Sequence, residues 1–449
     1  MWLVNTKTIE LEELFESDDF EYAILSHTWI KPAPEEVSFQ DMFSLDGSYR
    51  RKQGYAKIKS TCEEAARRGF DYVWIDTCCI DKKSSAELSE AINSMWKWYE
   101  KAGICLAYLA DVPWMPSHPV CDSEDISTTA FGRSKWFTRG WTLQELIAPK
   151  RVVFFSRDWN VLGDKSSLRR QLHAITGVSL HVFQFPALFH SLSVAERMSW
   201  AATRETTREE DRAYSLLGLF GINMPLLYGE GEMAFRRLQE EIMKVNSDHS
   251  LFYHHAEQSQ TRRSGNHKLL ADSPSDFQRL DKHAQKGPSP YGWDLTAFYL
   301  TNAGLLIQLP LITPMGAHSH LLPSYTSIAL LNVVGELLSP EGDWRLALFI
   351  ARVADDYESS QVICEILGSP FWYPFTPDIP EIPSTPLLII MDSWKYESAE
   401  APPDPKIEVE AVLKHDRRMA RSRRDGEGRR DTIMRTGWSD IGNEQVDVV

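Results

Sequence analysis

Three short stretches concentrate the side chains able to do chemistry. His27, Thr28 and Trp29 follow one apolar run, Asp76, Thr77, Cys78 and Cys79 end a second, and Arg139, Trp141, Gln144 and Glu145 precede a third. Trp141 and Glu145 stand four apart, so on a helix they share one face, with Arg139 and the free N–H groups of the helix start beside them. Together these would supply an aromatic wall, a carboxylate and an anion site. Each residue also has a plainer use: Trp141 as a core aromatic, and Glu145 as the ion-pair partner of Arg139 or Arg151. His27 would serve as a hydrogen-bonder at a strand end, Asp76 as a cap, and Trp29 and Trp74 as packing.

Other candidates are weaker. Cys78 and Cys79 with His27 and Asp76 contain the groups of a thiol protease, but adjacent cysteines diverge in direction and no local protease signature accompanies them. Cys62, Cys78, Cys79 and Cys105 lack the paired C-x-x-C spacing of a zinc site, so no metal is expected and the cysteines read as small buried hydrophobes. Gly229-Glu230-Gly231 has neither the lysine nor the preceding strand of a phosphate loop and reads as a turn into a helix.

The elements that must position these residues alternate. Glu21 to Ser26, Asp71 to Asp76, Ile104 to Leu109 and Arg151 to Ser156 are short apolar runs that read as buried strands. Between them, Tyr55 to Arg68 and Ser85 to Lys101 carry apolar residues at helical spacing and stop at Gly69 and Gly103, and Thr138 to Leu146 is helical in composition. Such a rhythm implies βαβ units and a parallel sheet, whose ligands bind at the carboxyl ends of the strands, where the residues above fall. Helices are expected over Leu168 to Thr176, Val194 to Leu219 and Phe235 to Val245. After that the pattern turns to strands, over Thr296 to Leu309, Ser327 to Val334, Trp344 to Val353, Val362 to Leu367 and Leu387 to Met391.

The expected organisation is therefore an α/β domain over 1–160, a helical extension over 161–250, a β-rich domain over 251–410 preceded by a polar linker from Ser259 to Pro290, and a disordered tail over 411–449. With 449 residues, a second domain is the natural expectation. The formal charge is −15, and the stretch Lys414 to Arg430 holds eight basic and three acidic residues, so the remainder is more acidic still. Nucleic acid is an unsuitable partner for such a body, although the basic tail could contact nucleic acid or acidic lipid. The beginning of the chain lacks a basic, apolar leader and no run is long enough to span a membrane, which points to a soluble, cytoplasmic protein with free thiols.

The blocks YAILSHTW (Tyr22 to Trp29), DYVWIDTCCID (Asp71 to Asp81) and RGWTLQELIAP (Arg139 to Pro149) resemble, in order and spacing, the three signature blocks of the fungal heterokaryon-incompatibility (HET) domain. The stretch from Thr206 to Ile242 is similar to the segment that follows this domain in many such proteins, so the resemblance covers the first half of the chain. It implies a role in non-self recognition leading to cell death. HET domains are regarded as distant relatives of TIR domains, so a TIR-like, flavodoxin-like sheet is implied. Some TIR domains hydrolyse NAD with a glutamate four residues beyond a tryptophan, the spacing of Trp141 and Glu145. On this basis Glu145 would be the catalytic carboxylate, with Trp141, Arg139, His27, Trp29 and Asp76 binding the ligand, and NAD would be a substrate, with no cofactor needed. Breaking the bond between nicotinamide and ribose spreads positive charge into the ribose while a neutral ring departs, so one carboxylate and no general acid suffices.

The resemblance leaves open a second implication, a non-enzymatic module that signals by assembly. Many members carry a nucleotide-binding module and repeats, and this chain shows neither a Walker A loop nor repeats. Its trigger would then come from another incompatibility or signalling protein, or from self-association.

Overall fold

The four apolar runs form adjacent parallel strands, and their spatial order decides where the chemistry collects. The computed structural model describes residues 1–15, 20–115, 126–254, 269–278, 284–286, 299–301, 304–312, 326–335, 343–356, 361–366, 371–375 and 384–389. The first sheet comprises β1 (Trp2–Asn5), β2 (Leu11–Glu13), β3 (Tyr22–His27), β4 (Tyr72–Trp74), β5 (Ile104–Tyr108), β6 (Val152–Phe155) and β7 (Val161–Asp164), in the order β2-β1-β4-β3-β5-β6-β7. The run β4-β3-β5-β6 is parallel throughout. Counted along the chain these strands lie 2-1-3-4, the flavodoxin-like order. The α/β expectation holds, with one addition: β1, β2 and β7 extend the sheet in antiparallel fashion.

Strand order reverses direction between β3 and β5. The chain passes from β3 to β4 on one side and returns to β5 on the other, and right-handed crossovers then put the intervening helices on opposite faces. Ahead of the first crossover helix lies a single turn, α1 (Phe39–Met42); α2 (Gln53–Arg67) makes that crossover, and α3 (Ser85–Lys101) and α4 (Thr142–Ile147) follow. Side-chain alternation along β3 agrees with this. Ser26 meets Glu145 of α4, whereas His27 faces Glu36, the ion-pair partner of Lys57 on α2. Both helices are held by the expected stripes, Ile58, Cys62 and Ala65 on α2 and Ile92, Met95 and Tyr99 on α3. Ser84 caps α3 by accepting from the Glu87 N–H.

The segment beyond β7 is helical: α5 (Arg169–Thr176), α6 (Leu180–Gln184), α7 (Val194–Ser199), α8 (Asp211–Tyr214), α9 (Leu217–Phe220) and α10 (Met233–Val245). The single helix expected from Val194 to Leu219 is broken into three. The reason is a backbone bond made elsewhere: Glu205 donates to the Thr138 carbonyl at 2.6 Å and accepts from the Gly140 N–H at 2.9 Å, so it is unavailable to a helix ladder. Likewise, Thr138 to Leu146 is a short 3₁₀ turn over Lys135–Thr138 followed by α4.

A second sheet comprises β8 (Ala284–Lys286), β9 (Tyr299–Thr301), β10 (Gly304–Ile312), β11 (Thr326–Gly335), β12 (Asp343–Asp356), β13 (Gln361–Ile366), β14 (Phe371–Phe375) and β15 (Ser384–Ile389). The pairings β12–β13, β13–β15, β15–β10, β10–β11 and β11–β12 close into a ring, antiparallel except for β13 with β15. The 411–449 tail lies outside the described residues, as does much of the Ser259 to Pro290 segment.

Close approach of α9 to α3 depends on Gly218, where an added Cβ would stand 2.2 Å from Trp96 Cβ and 2.7 Å from its Cγ. Gly218→Ala is expected to destabilise the chain by about 1–3 kcal/mol. Urea denaturation checks this, and an unchanged midpoint would show that the two helices do not pack as described.

Candidate functional site

The carboxyl end of β3 holds two polar clusters, one on each face of the sheet. On the α4 face, Ser26 is fully buried. Its Oγ accepts from the Trp136 indole N–H at 2.8 Å and donates to Glu145 Oε2. Glu145 lies on a helix whose six residues are all buried, and is itself 8% exposed. Burial is the main cause that pushes its carboxyl up to about 8; Asp76 adds to the effect, while the Ser26 hydrogen bond, Arg139 and Arg204 oppose it. At neutral pH Glu145 is therefore mostly a neutral acid.

The helix is fastened at both ends. Arg204 Nη1 donates to the Arg139 carbonyl at 2.9 Å and to Thr142 Oγ1 at 3.0 Å. Burial brings that guanidinium down to about 9, against the pull of Glu145. At the other end Lys165 Nζ donates to the carbonyls of Leu146 and Ile147, each at 3.2 Å, and of Pro149 at 2.5 Å, taking up the open acceptors of the helix terminus. Trp141 precedes α4 with helical backbone angles, and its half-buried side chain packs against the core and lowers the Asp211 carboxyl of α8 against the effect of burial.

On the α2 face sits His27, with its side chain 1% exposed. Its Nε2 lies 3.7 Å from Asp76 Oδ1 and 4.0 Å from Glu36 Oε1, outside hydrogen-bonding reach, and among the described residues neither ring nitrogen has a partner. Burial, then Lys57, drives the imidazole down to about 3, so it is neutral throughout the physiological range. Asp76 Oδ2 accepts from the Trp29 indole N–H at 2.7 Å. Trp29 is 41% exposed, and Lys82 Nζ stands 3.9 Å from the centre of its ring. Glu36 Oε1 receives Lys57 Nζ at 2.5 Å and the Ile30 N–H at 2.6 Å. Glu36 can approach α2 because residue 54 is glycine: a Cβ there would lie 2.9 Å from Glu36 Oε2.

The structure thus brings His27, Trp29 and Asp76 together and seats Glu145 across the sheet from His27. Arg139 and Asp76 join the two clusters electrostatically, each acting on both His27 and Glu145. Sequence reasoning missed Ser26, Trp136, Glu36, Lys57 and Arg204. For Lys57 a signal existed, since it occupies the buried stripe of α2 with Gly54, Ile58, Thr61 and Cys62, where an unpaired lysine would be costly. The thiols Cys62, Cys78, Cys79 and Cys105 are free and buried. Burial pushes Cys62 up to about 12 and raises Cys79 and Cys105 well above an ordinary thiol, which leaves them poor nucleophiles. No group of three or more metal-binding side chains occurs among the described residues, and no helix there is long and apolar enough to cross a membrane.

Residues 22–114 match the family model described as heterokaryon incompatibility protein (HET), and residues 233–327 match a domain of unknown function (DUF8212). The vegetative incompatibility protein HET-E-1 of Podospora anserina is 50% identical over 224 residues, which is 50% of this chain and 16% of that protein. The chain therefore spans only a minor part of the length of that relative. No solved structure matches. The chain carries a HET domain.

The protonated Glu145 has a consequence for stability. Its carboxyl binds its proton more tightly folded, at about 8, than unfolded, near 4.5, so its contribution is complete below pH 4.5 and is lost as pH rises towards 8. His27 acts in the opposite sense, adding stability from about pH 3 to 6.5. Between pH 6.5 and 8 the loss due to Glu145 is on the order of 2 kcal/mol. Urea denaturation at these two pH values should show that Glu145→Gln removes this loss; equal changes in both proteins would mean that Glu145 is already ionised at pH 6.5.

Proposed function

We propose that this chain, which carries a HET domain, is a non-self-recognition cell-death effector that hydrolyses the nicotinamide–ribose bond of NAD, with Glu145 as the essential carboxylate. One observation supports the chemistry: the Glu145 carboxyl is buried at the carboxyl end of β3, beside the reversal in strand order, and is bonded to Ser26 instead of being spent on a surface ion pair. Ligands of open α/β sheets collect at that place.

The physical logic follows from charge. As the bond breaks, the nicotinamide ring becomes neutral and the ribose becomes cationic, so no acid is required for the leaving group. A carboxylate removed from water stabilises that cation more strongly than an exposed one. Glu145 must first lose its proton, which the positive pyridinium ring of NAD favours. Arg139, half-buried between the two clusters, is the cation offered to the phosphates.

A second reading, an interaction module that does no chemistry, draws on the surface beside the edge strand β2. There Trp2 packs edge-on against Phe39 and Phe43, with Phe43 52% exposed and Leu45 fully open. Partners would be other incompatibility or signalling proteins, or further copies of the chain.

Concentrated or artificially clustered protein incubated with NAD should release nicotinamide, faster at pH 9 than at pH 6 as Glu145 ionises. Glu145→Gln should lower the rate by about 100-fold or more. Release that survives this change eliminates the site. No release under any clustering, together with partner binding lost in Phe43→Ser, establishes the assembly reading instead.

A further inference from the structure

The α2-face cluster contains more hydrogen-bonding capacity than the protein uses. Asp76 Oδ1, Glu36 Oε2, Thr77 Oγ1 and both nitrogens of His27 are buried and without a partner among the described residues. Buried polar atoms are rarely left so, and here their side chains cluster: His27 Nε2 is 3.7 Å from Asp76 Oδ1 and 4.0 Å from Glu36 Oε1, the oxygen that also receives Lys57 and Ile30. The inventory is specific. Two carboxylate oxygens accept only, and a neutral imidazole offers one acceptor and one N–H donor. The complement is a group with two or more hydroxyl donors held close together that can also accept one hydrogen bond.

We propose that His27, Asp76 and Glu36 form a subsite for a vicinal diol of the kind carried by a ribose ring. A phosphate group does not fit, because it would face two carboxylate oxygens. An ammonium group would leave the imidazole donor unmatched and would meet Lys57 and Lys82, the latter poised over Trp29. A diol satisfies the acceptors with its protons and the imidazole N–H with a lone pair. The cluster nears the surface at Asp76, whose side chain is 25% exposed although Oδ1 is buried and whose Oδ2 anchors Trp29, so the half-exposed indole supplies an apolar wall beside the sugar. The identity of the sugar as a dinucleotide ribose rests on the NAD reading; the diol chemistry does not.

The test measures binding of ADP-ribose, which has no nicotinamide to lose, to the full chain by calorimetry. Analogues lacking the 2′-hydroxyl of either ribose replace it in turn. One of the two should bind at least about tenfold more weakly, because its missing hydroxyl leaves a buried acceptor unmatched. In Asp76→Asn and Glu36→Gln proteins that discrimination should shrink, an effect that general loss of stability does not produce. Equal binding of all three ligands, no binding of ADP-ribose, or discrimination unchanged in both variants would overturn the subsite. Nicotinamide release without any hydroxyl preference would remove the subsite and leave the hydrolase. Hydroxyl-dependent binding without nicotinamide release would do the reverse.

Discussion

The Ser26 hydroxyl, held between the Trp136 indole and the Glu145 carboxyl, is the contact on which the site depends. It ties the end of the central strand β3 to the helix that carries the acid and to the 3₁₀ turn that leads into that helix. A small hydroxyl is suited to this position because it can accept from one neighbour and donate to the other in the same place. An apolar residue there would leave an indole N–H and a carboxyl buried without partners. The interaction also keeps Glu145 in a state from which charge is readily drawn out: buried, hydrogen-bonded to Ser26, and flanked by arginines that act from a distance.

Two clusters on opposite faces of one sheet would be unrelated in most folds. Here they converge because the order 2-1-3-4 leaves β3 in the centre with its helices on both sides, so consecutive residues Ser26 and His27 reach opposite layers at the same end. Asp76, just past the neighbouring strand β4, and Arg139, just ahead of α4, bridge them electrostatically. The buried pair Glu36 and Lys57 then fixes the α2 side, made possible by the glycine at 54.

Much of this was legible in the sequence, and the failures have physical causes. Buried parallel strands read as continuous apolar runs, so β3, β5 and β6 were visible and the polar residues at their ends stood out. β1 and the edge strands β2 and β7 are three or four residues long and at most half buried, so they carry too little pattern to detect. Glu36 and Lys57 escaped because their importance is a pairing across 21 positions, which no local period records. The helix expected from Val194 to Leu219 failed for a tertiary reason: its composition suits a helix, but the backbone of Glu205 is engaged with the approach to α4.

That engagement makes the α/β layer and the helices after β7 less modular than their order along the chain suggests. Glu205 and Arg204 come from the annex, yet they brace Thr138, Arg139, Gly140 and Thr142, the residues immediately ahead of the acid. A protein excised at the end of the first sheet would retain every strand of that sheet and still lose the scaffolding of its own centre. The two therefore hold their shape as one piece, and grafting the sheet alone onto another protein would transplant the outline without the poise.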